Sequence, residues 1–188
     1  MRRARLAVLG LALAAWGPAA GAASLTLDGR GREEAVRLGQ RSVTSETFGD
    51  EWRVTHGGES VSVMTPFHRL ALAARHAAFK NEPLKAQDQE RMLLDLKDRL
   101  MLQVELRGER EDFARHLAPR LLVGERVVRP SVVQNERTAI RADRGYLARC
   151  IYWFPSRDIP DDARLVLRIE TPEGRERARF HIDLGAMR

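Results

Sequence analysis

Histidine side chains are the first candidates for chemistry in this chain, because they bind metal ions and act as acids or bases. Two of the five histidines, His68 and His76, lie in the alanine-rich stretch TPFHRLALAARHAAFKNEP. In a straight helix this separation places them about 12 Å apart along the axis, too far for one metal ion. The others, His56, His116 and His181, form no cluster in the sequence. We therefore predict no metal site and no bound cofactor.

Motifs typical of enzymes are also missing from the sequence. The single cysteine, Cys150, stands in the apolar stretch ARCIYWF, where a small buried side chain is more usual than a nucleophile. The stretch GRGREE begins like a dinucleotide-binding loop, but Glu34 occupies the position of the third glycine. We predict a non-catalytic protein and assign no catalytic residue. The alternative is a cell-envelope hydrolase acting on a polymer or peptide, since an active site can be assembled in space without a local motif.

Basic side chains on one predicted hairpin are the candidate binding residues. In RLVLRIETPEGRERARFHIDL, apolar residues alternate on both sides of a turn at 171–174 and would face a core. The same alternation places six basic residues on the opposite face: Arg164, Arg168, Arg175, Arg177, Arg179 and His181. Such a face would suit an anionic partner, either an acidic protein or an anionic envelope polymer. The alternative is a solvated face balanced by Glu170, Glu173 and Glu176.

Residues 1–22 carry the pattern of a secretory signal peptide. Three arginines between positions 2 and 5 precede an apolar run over 6–16, and Ala20, Gly21 and Ala22 are the small residues that signal peptidases accept. The run is shorter than the roughly 20 residues of a membrane-spanning helix. We therefore predict cleavage after Ala22 or Ala23, export to the periplasm or the extracellular space, and no transmembrane segment in the mature chain. An uncleaved N-terminal anchor is the alternative.

Residues 23–188 are predicted to form a single domain, because a chain of this length can bury one hydrophobic core of its own. Removing the three signal-segment arginines from the 32 lysines and arginines leaves 29 against 26 acidic residues, a net charge of about +3. A balance this close to neutral does not favour specific binding of nucleic acid.

Alternating apolar residues predict that most of this domain is β-structure. Hairpins are predicted over 52–63, with a turn at the glycines 57 and 58, and over 165–182. Further strands are predicted around residues 25–28, 35–43, 100–108, 121–128, 131–138 and 146–154. Short strands separated by turns are typical of an antiparallel β-sandwich, and we predict one of immunoglobulin-like type.

A two-helix hairpin is predicted to interrupt the strands at about residues 65–98. Thr65 can cap the first helix and Pro66 suits its first position. Its alanines, Ala74 among them, would let another element approach closely. The second helix, over about 84–98, is predicted to pack against Leu72 and Phe79 of the first. The two histidines are expected away from the buried face, so that replacing either by alanine should leave stability nearly unchanged.

Overall fold

The computed structural model describes residues 25–188, so the predicted signal peptide lies outside the described residues. Within them the strands form two antiparallel sheets, accompanied by three α-helices. The helices are α1 (Gly29–Arg41), α2 (Pro66–Phe79) and α3 (Ala86–Asp95). Sheet A contains, in spatial order, β1 (Arg53–His56), β2 (Glu59–Met64), β3 (Arg99–Gly108), β8 (Tyr146–Pro155) and β6 (Val132–Gln134), and β7 (Ile140–Arg141) also pairs with β8. Sheet B contains β10 (Glu176–Asp183), β9 (Arg164–Glu170), β4 (Ala118–Val123) and β5 (Arg126–Val128).

Both sheets turn apolar side chains toward one shared core. Along β3 and β8 the register pairs Leu102 with Tyr152, and both side chains are 0 % exposed. Leu167 on β9 is equally buried and lies opposite Phe180 on β10. Every second residue of β3, β8 and β9 faces this core, as the alternation predicted, and so do Ala178, Phe180 and Ile182 of β10. A mainly β chain with antiparallel sheets is therefore confirmed, while the immunoglobulin-like class stays a prediction.

The segment 35–43 is largely helical, so the prediction of a strand there is wrong. α1 begins after Asp28, whose carboxylate accepts a hydrogen bond from the Gly31 backbone N–H at 2.7 Å. Ala35, Gly39 and Ser42 are buried at the three- and four-residue spacing of a helix. Residues 25–28, also predicted as a strand, are irregular chain that leads into α1.

α2 and α3 connect β2 to β3, as predicted, but α2 packs mainly against α1. The two helices approach so closely that a Cβ on Gly39 would come within 2.8 Å of the Ala74 Cβ. Ala74 is 1 % exposed, which confirms the expected close approach. Phe79 is 75 % exposed, so the predicted contact of this side chain with the second helix is wrong. None of the helices between residues 25 and 188 is both long enough and apolar enough to cross a bilayer.

Candidate functional site

Four of the six predicted basic residues, Arg164, Arg168, Arg179 and His181, lie on the outer face of sheet B. The register of β9 and β10 places Arg168 beside Arg179. On the other side of Arg168, the register of β4 adds Arg120. Three arginines thus form a row across the sheet. Sequence reasoning on the 164–182 hairpin alone missed Arg120, because it lies on a strand distant in the chain.

Two carboxylates of the same sheet form ion pairs with the three arginines of this row. Glu170 lies 2.8 Å from the Arg120 guanidinium and 2.9 Å from that of Arg168. Glu176 lies 3.1 Å from Arg168 and 2.6 Å from Arg179, whose hydrogen bond lowers the pKa of this carboxyl group. The outer face of sheet B is therefore a network of ion pairs, and an anionic partner would have to compete with carboxylates already in place.

A β-bulge separates Arg177 from that face. Glu176 lies opposite Glu170 and Ala178 opposite Ile169, so Arg177 is the extra residue between the two pairs. Strict alternation, which placed Arg175, Arg177 and Arg179 on one face, fails at this point. The Arg177 guanidinium instead donates to Glu59 at 2.8 Å and to the Arg107 carbonyl. It also lies 6.0 Å from the Phe113 ring centroid.

Arg175 and Arg177 line a cleft of about 1200 Å³ at one end of the two sheets, which we call the end cleft. Its walls come from the end of β3, the loop 109–117, the turn at 144–145 and the segment 171–177. Its basic residues are Arg107, Arg110, Arg144, Arg175, Arg177 and His116, and its acidic residues are Glu109, Asp112 and Glu173. Positive charge therefore predominates among the lining side chains, and the Phe113 ring adds an apolar wall.

Two glycines allow the walls of the end cleft to converge. Gly145 has a φ of +86°, and a Cβ at this position would overlap the Gly108 carbonyl. A Cβ on Gly108 would in turn overlap the Phe113 ring. The end of β3, the loop that carries Phe113 and the turn before β8 can therefore lie against one another. This close approach places Arg107 and Arg144 around the same opening.

The arginines of the end cleft differ in how they are compensated. Arg177 is bound to Glu59, Arg110 lies 3.4 Å from Asp112, and Arg175 lies 3.8 Å from Glu173. The guanidinium groups of Arg107 and Arg144 have no carboxylate partner among residues 25–188. The Arg107 Nε donates to the Gly58 carbonyl at 3.1 Å, and only the Arg107 backbone N–H contacts a carboxylate, that of Glu59 at 3.0 Å. A guanidinium group without a carboxylate partner can form paired hydrogen bonds with the carboxylate or phosphate of a ligand.

His68 belongs to the core, and the prediction that it lies away from the buried face is wrong. Its side chain is 6 % exposed and stacks on Trp52 with ring centroids 4.2 Å apart and planes within 9°. Its Nδ1 lies 2.9 Å from the Val63 carbonyl, so the neutral ring donates a hydrogen bond there. Burial lowers the pKa of His68 and favours this neutral form.

The remaining candidates for chemistry are not assembled into a site. Cys150 is buried in the core, where burial raises the pKa of its thiol and disfavours the nucleophilic thiolate. In the described part of the chain, no group of three histidine, cysteine, aspartate or glutamate side chains is arranged to hold a metal ion.

Comparison with known proteins adds a distant structural likeness. A solved structure from Burkholderia pseudomallei, a novel protein of unknown function, is similar over 84 % of this chain and 90 % of its own, with 10 % sequence identity and a TM-score of 0.44. No known protein family matches the sequence, and no protein of curated function matches it. Function must therefore be inferred from the geometry and charge of the end cleft.

Proposed function

We propose that this chain is an exported, non-catalytic binding protein whose end cleft holds an acidic partner, either an acidic protein or an anionic polymer of the cell envelope. One observation carries the proposal: Arg107 and Arg144 line the same cleft, and their guanidinium groups have no carboxylate partner among the described residues. The signal-peptide pattern of residues 1–22 supports export. We also propose that the two sheets form a sandwich of immunoglobulin-like type.

The strength of the expected contacts indicates the size of the partner. An exposed ion pair contributes about 0.2–1 kcal/mol, so a single carboxylate would bind the cleft only weakly. The cleft offers guanidinium groups from several chain segments, and a partner with several carboxylates or phosphates can contact them together. We therefore propose an extended acidic chain rather than a small monovalent anion.

The outer face of sheet B provides the matched control. We expect Arg107→Gln with Arg144→Gln to weaken binding of poly-glutamate at low salt by about fivefold to thirtyfold, the loss of two ion pairs of roughly 0.5–1 kcal/mol each. Arg164→Gln with Arg179→Gln removes the same charge, but both arginines already have carboxylate partners. This control should weaken binding by less than about twofold.

Binding is measured by titration at two salt concentrations, and circular dichroism verifies that each variant is folded. Equal weakening in the two double variants would mean that only net charge matters, and the end cleft would lose its proposed role. The same conclusion would follow if wild-type protein failed to bind poly-glutamate at low salt.

A further inference from the structure

One edge of sheet A combines exposed apolar side chains with an unpaired backbone. β6 and β7 both pair with β8 on one side and, within residues 25–188, with no strand on the other. Val132, Val133 and Ile140 are 45 %, 46 % and 53 % exposed, and they are three of the six large apolar residues that the described chain exposes. Val132 and Val133 are neighbours and face opposite sides of the strand, so both sides of this edge are accessible.

The backbone of this edge can accept another strand. An uncovered edge presents a row of N–H and C=O groups, and proteins that avoid pairing there usually shorten, bulge or cover the edge. β6 is short, and β7 pairs with the same neighbour, β8, farther along. Between them the loop 111–117 lies against the chain, where the Ala139 N–H donates to the Glu111 carbonyl at 2.7 Å, so the stretch open to pairing is β6 itself. An extended peptide placed here would gain main-chain hydrogen bonds, and its side chains would contact Val132 and Val133.

The charge around this edge, which we call the β6 edge, is positive. Four arginines lie in or beside it without a carboxylate partner among the described residues: Arg115, Arg129, Arg137 and Arg141. Residues 129–144 include only two acids, Glu136 and Asp143. Glu136 already accepts a hydrogen bond from the Arg149 backbone N–H at 2.6 Å. An incoming segment would therefore need negative side chains.

The β6 edge lies near the end cleft, because His116 lines both the cleft and a hollow beside β6. A hollow of about 690 Å³ beside β6 is lined by Arg115, His116, Val133, Gln134, Asn135 and Arg137. His116 also lines the end cleft. A single extended acidic segment can therefore contact both places.

We infer that the β6 edge binds an extended acidic segment of another protein by strand addition. Strand addition needs the partner's backbone amides, which a carbohydrate or phosphate polymer lacks, so the inference selects an acidic protein from the partners proposed above. A second copy of this chain paired edge to edge would bring the same arginines together, and like charges across strands repel. The inference rests on the proposed function for the sign of the partner's charge.

Two probes separate backbone pairing from charge alone. The first is a peptide of alternating valine and glutamate, and the second is an oligomer of acrylic acid with the same number of carboxylates and no amides. Wild-type protein should bind the peptide at least about fivefold more tightly than the oligomer. Hydrogen exchange of the amides at 132–134 should slow when the peptide is bound and stay unchanged with the oligomer.

Variants then separate this inference from the proposed function. Arg137→Gln with Arg141→Gln should weaken peptide binding by about threefold or more, while Arg37→Gln with Arg41→Gln, two exposed arginines of α1, should leave it unchanged. Equal affinity for both probes, or no slowing of exchange at 132–134, would overturn strand addition. If the variant with Arg107→Gln and Arg144→Gln bound both probes as tightly as wild type, the proposed binding role of the end cleft would be contradicted instead. Slowed exchange at 132–134 would in that case still support strand addition at the β6 edge.

Discussion

Replacing His68 by alanine should lower the free energy of unfolding by about 2–4 kcal/mol, because a buried aromatic ring is removed from the core. The ring stacks on Trp52 at 4.2 Å, and such a pair contributes about 0.5–1.5 kcal/mol beyond burial. The hydrogen bond to the Val63 carbonyl, 2.9 Å long, contributes about 0.5–1.5 kcal/mol. The cavity that the substitution would leave beside Phe48 and Trp52 accounts for the remainder of the expected 2–4 kcal/mol.

Urea-induced unfolding followed by tryptophan fluorescence measures this change. His76→Ala is the matched control, because His76 lies on the same helix and is exposed. The control should change the free energy of unfolding by less than about 0.5 kcal/mol. Equal effects of the two substitutions would refute the assignment of His68 to the core.

The pH dependence of stability gives His68 a second signature. Burial lowers its pKa below the ordinary value of 6.5, so near that value the unfolded chain binds a proton that the folded chain does not. The stability that neutral, buried His68 contributes is therefore fully present above pH 6.5, and it is lost as the pH falls from 6.5 toward the pKa of His68 in the folded chain. Wild-type protein should lose more stability than His68→Ala between about pH 7.5 and pH 5.5. Parallel pH profiles would contradict this reasoning.

Three further outcomes are expected. Gly39→Ala should destabilise the protein by about 1–3 kcal/mol, because the new Cβ meets α2, whereas Gly29→Ala, with no atom within 4 Å, should be nearly neutral in thermal unfolding. Arg177→Gln should cost about 1–3 kcal/mol in urea unfolding, because the Glu59 carboxylate, 12 % exposed, would lose its ion pair and keep only the hydrogen bond from the Arg107 backbone N–H; a stability equal to that of wild type would contradict the role of this pair. Mass spectrometry of the exported protein should find a mature N-terminus at Ala23 or Ser24, and a retained Met1 would contradict cleavage.

Local sequence patterns predicted the elements that depend mainly on residues nearby in the chain. Alternation predicted the β1–β2 hairpin and, apart from the bulge at Arg177, the β9–β10 hairpin, and Thr65 with Pro66 correctly predicted the start of α2. α1 was missed because period-two alternation was inferred for 35–43, although Ala35, Gly39 and Ser42 follow the helical period. The contact of α1 with α2 depends on packing between segments separated in the chain.

The candidate site was predicted only in part, for two physical reasons. The bulge adds one residue to β10, so Arg177 lies in the end cleft and not on the outer face that strict alternation predicts. No reliable sequence pattern marks a bulge. Ion pairing is also a tertiary property, so the sequence could not distinguish Arg179, which has a carboxylate partner, from Arg144, which has none among the described residues. One signal was available: residues 107–144 contain nine arginines and six acids, a positive excess equal to that of the whole predicted mature chain.

Mapping of the bound anion by NMR tests the central claim most directly. Poly-glutamate is titrated into isotope-labelled protein at low salt, and the shifted backbone amides are assigned. If the end cleft is the binding site, the largest shifts lie at 107–116, 144–145 and 171–177, and they reverse when salt is added. Shifts centred instead on Arg120, Arg168 and Arg179 would place the anion on the outer face of sheet B and contradict the proposed site.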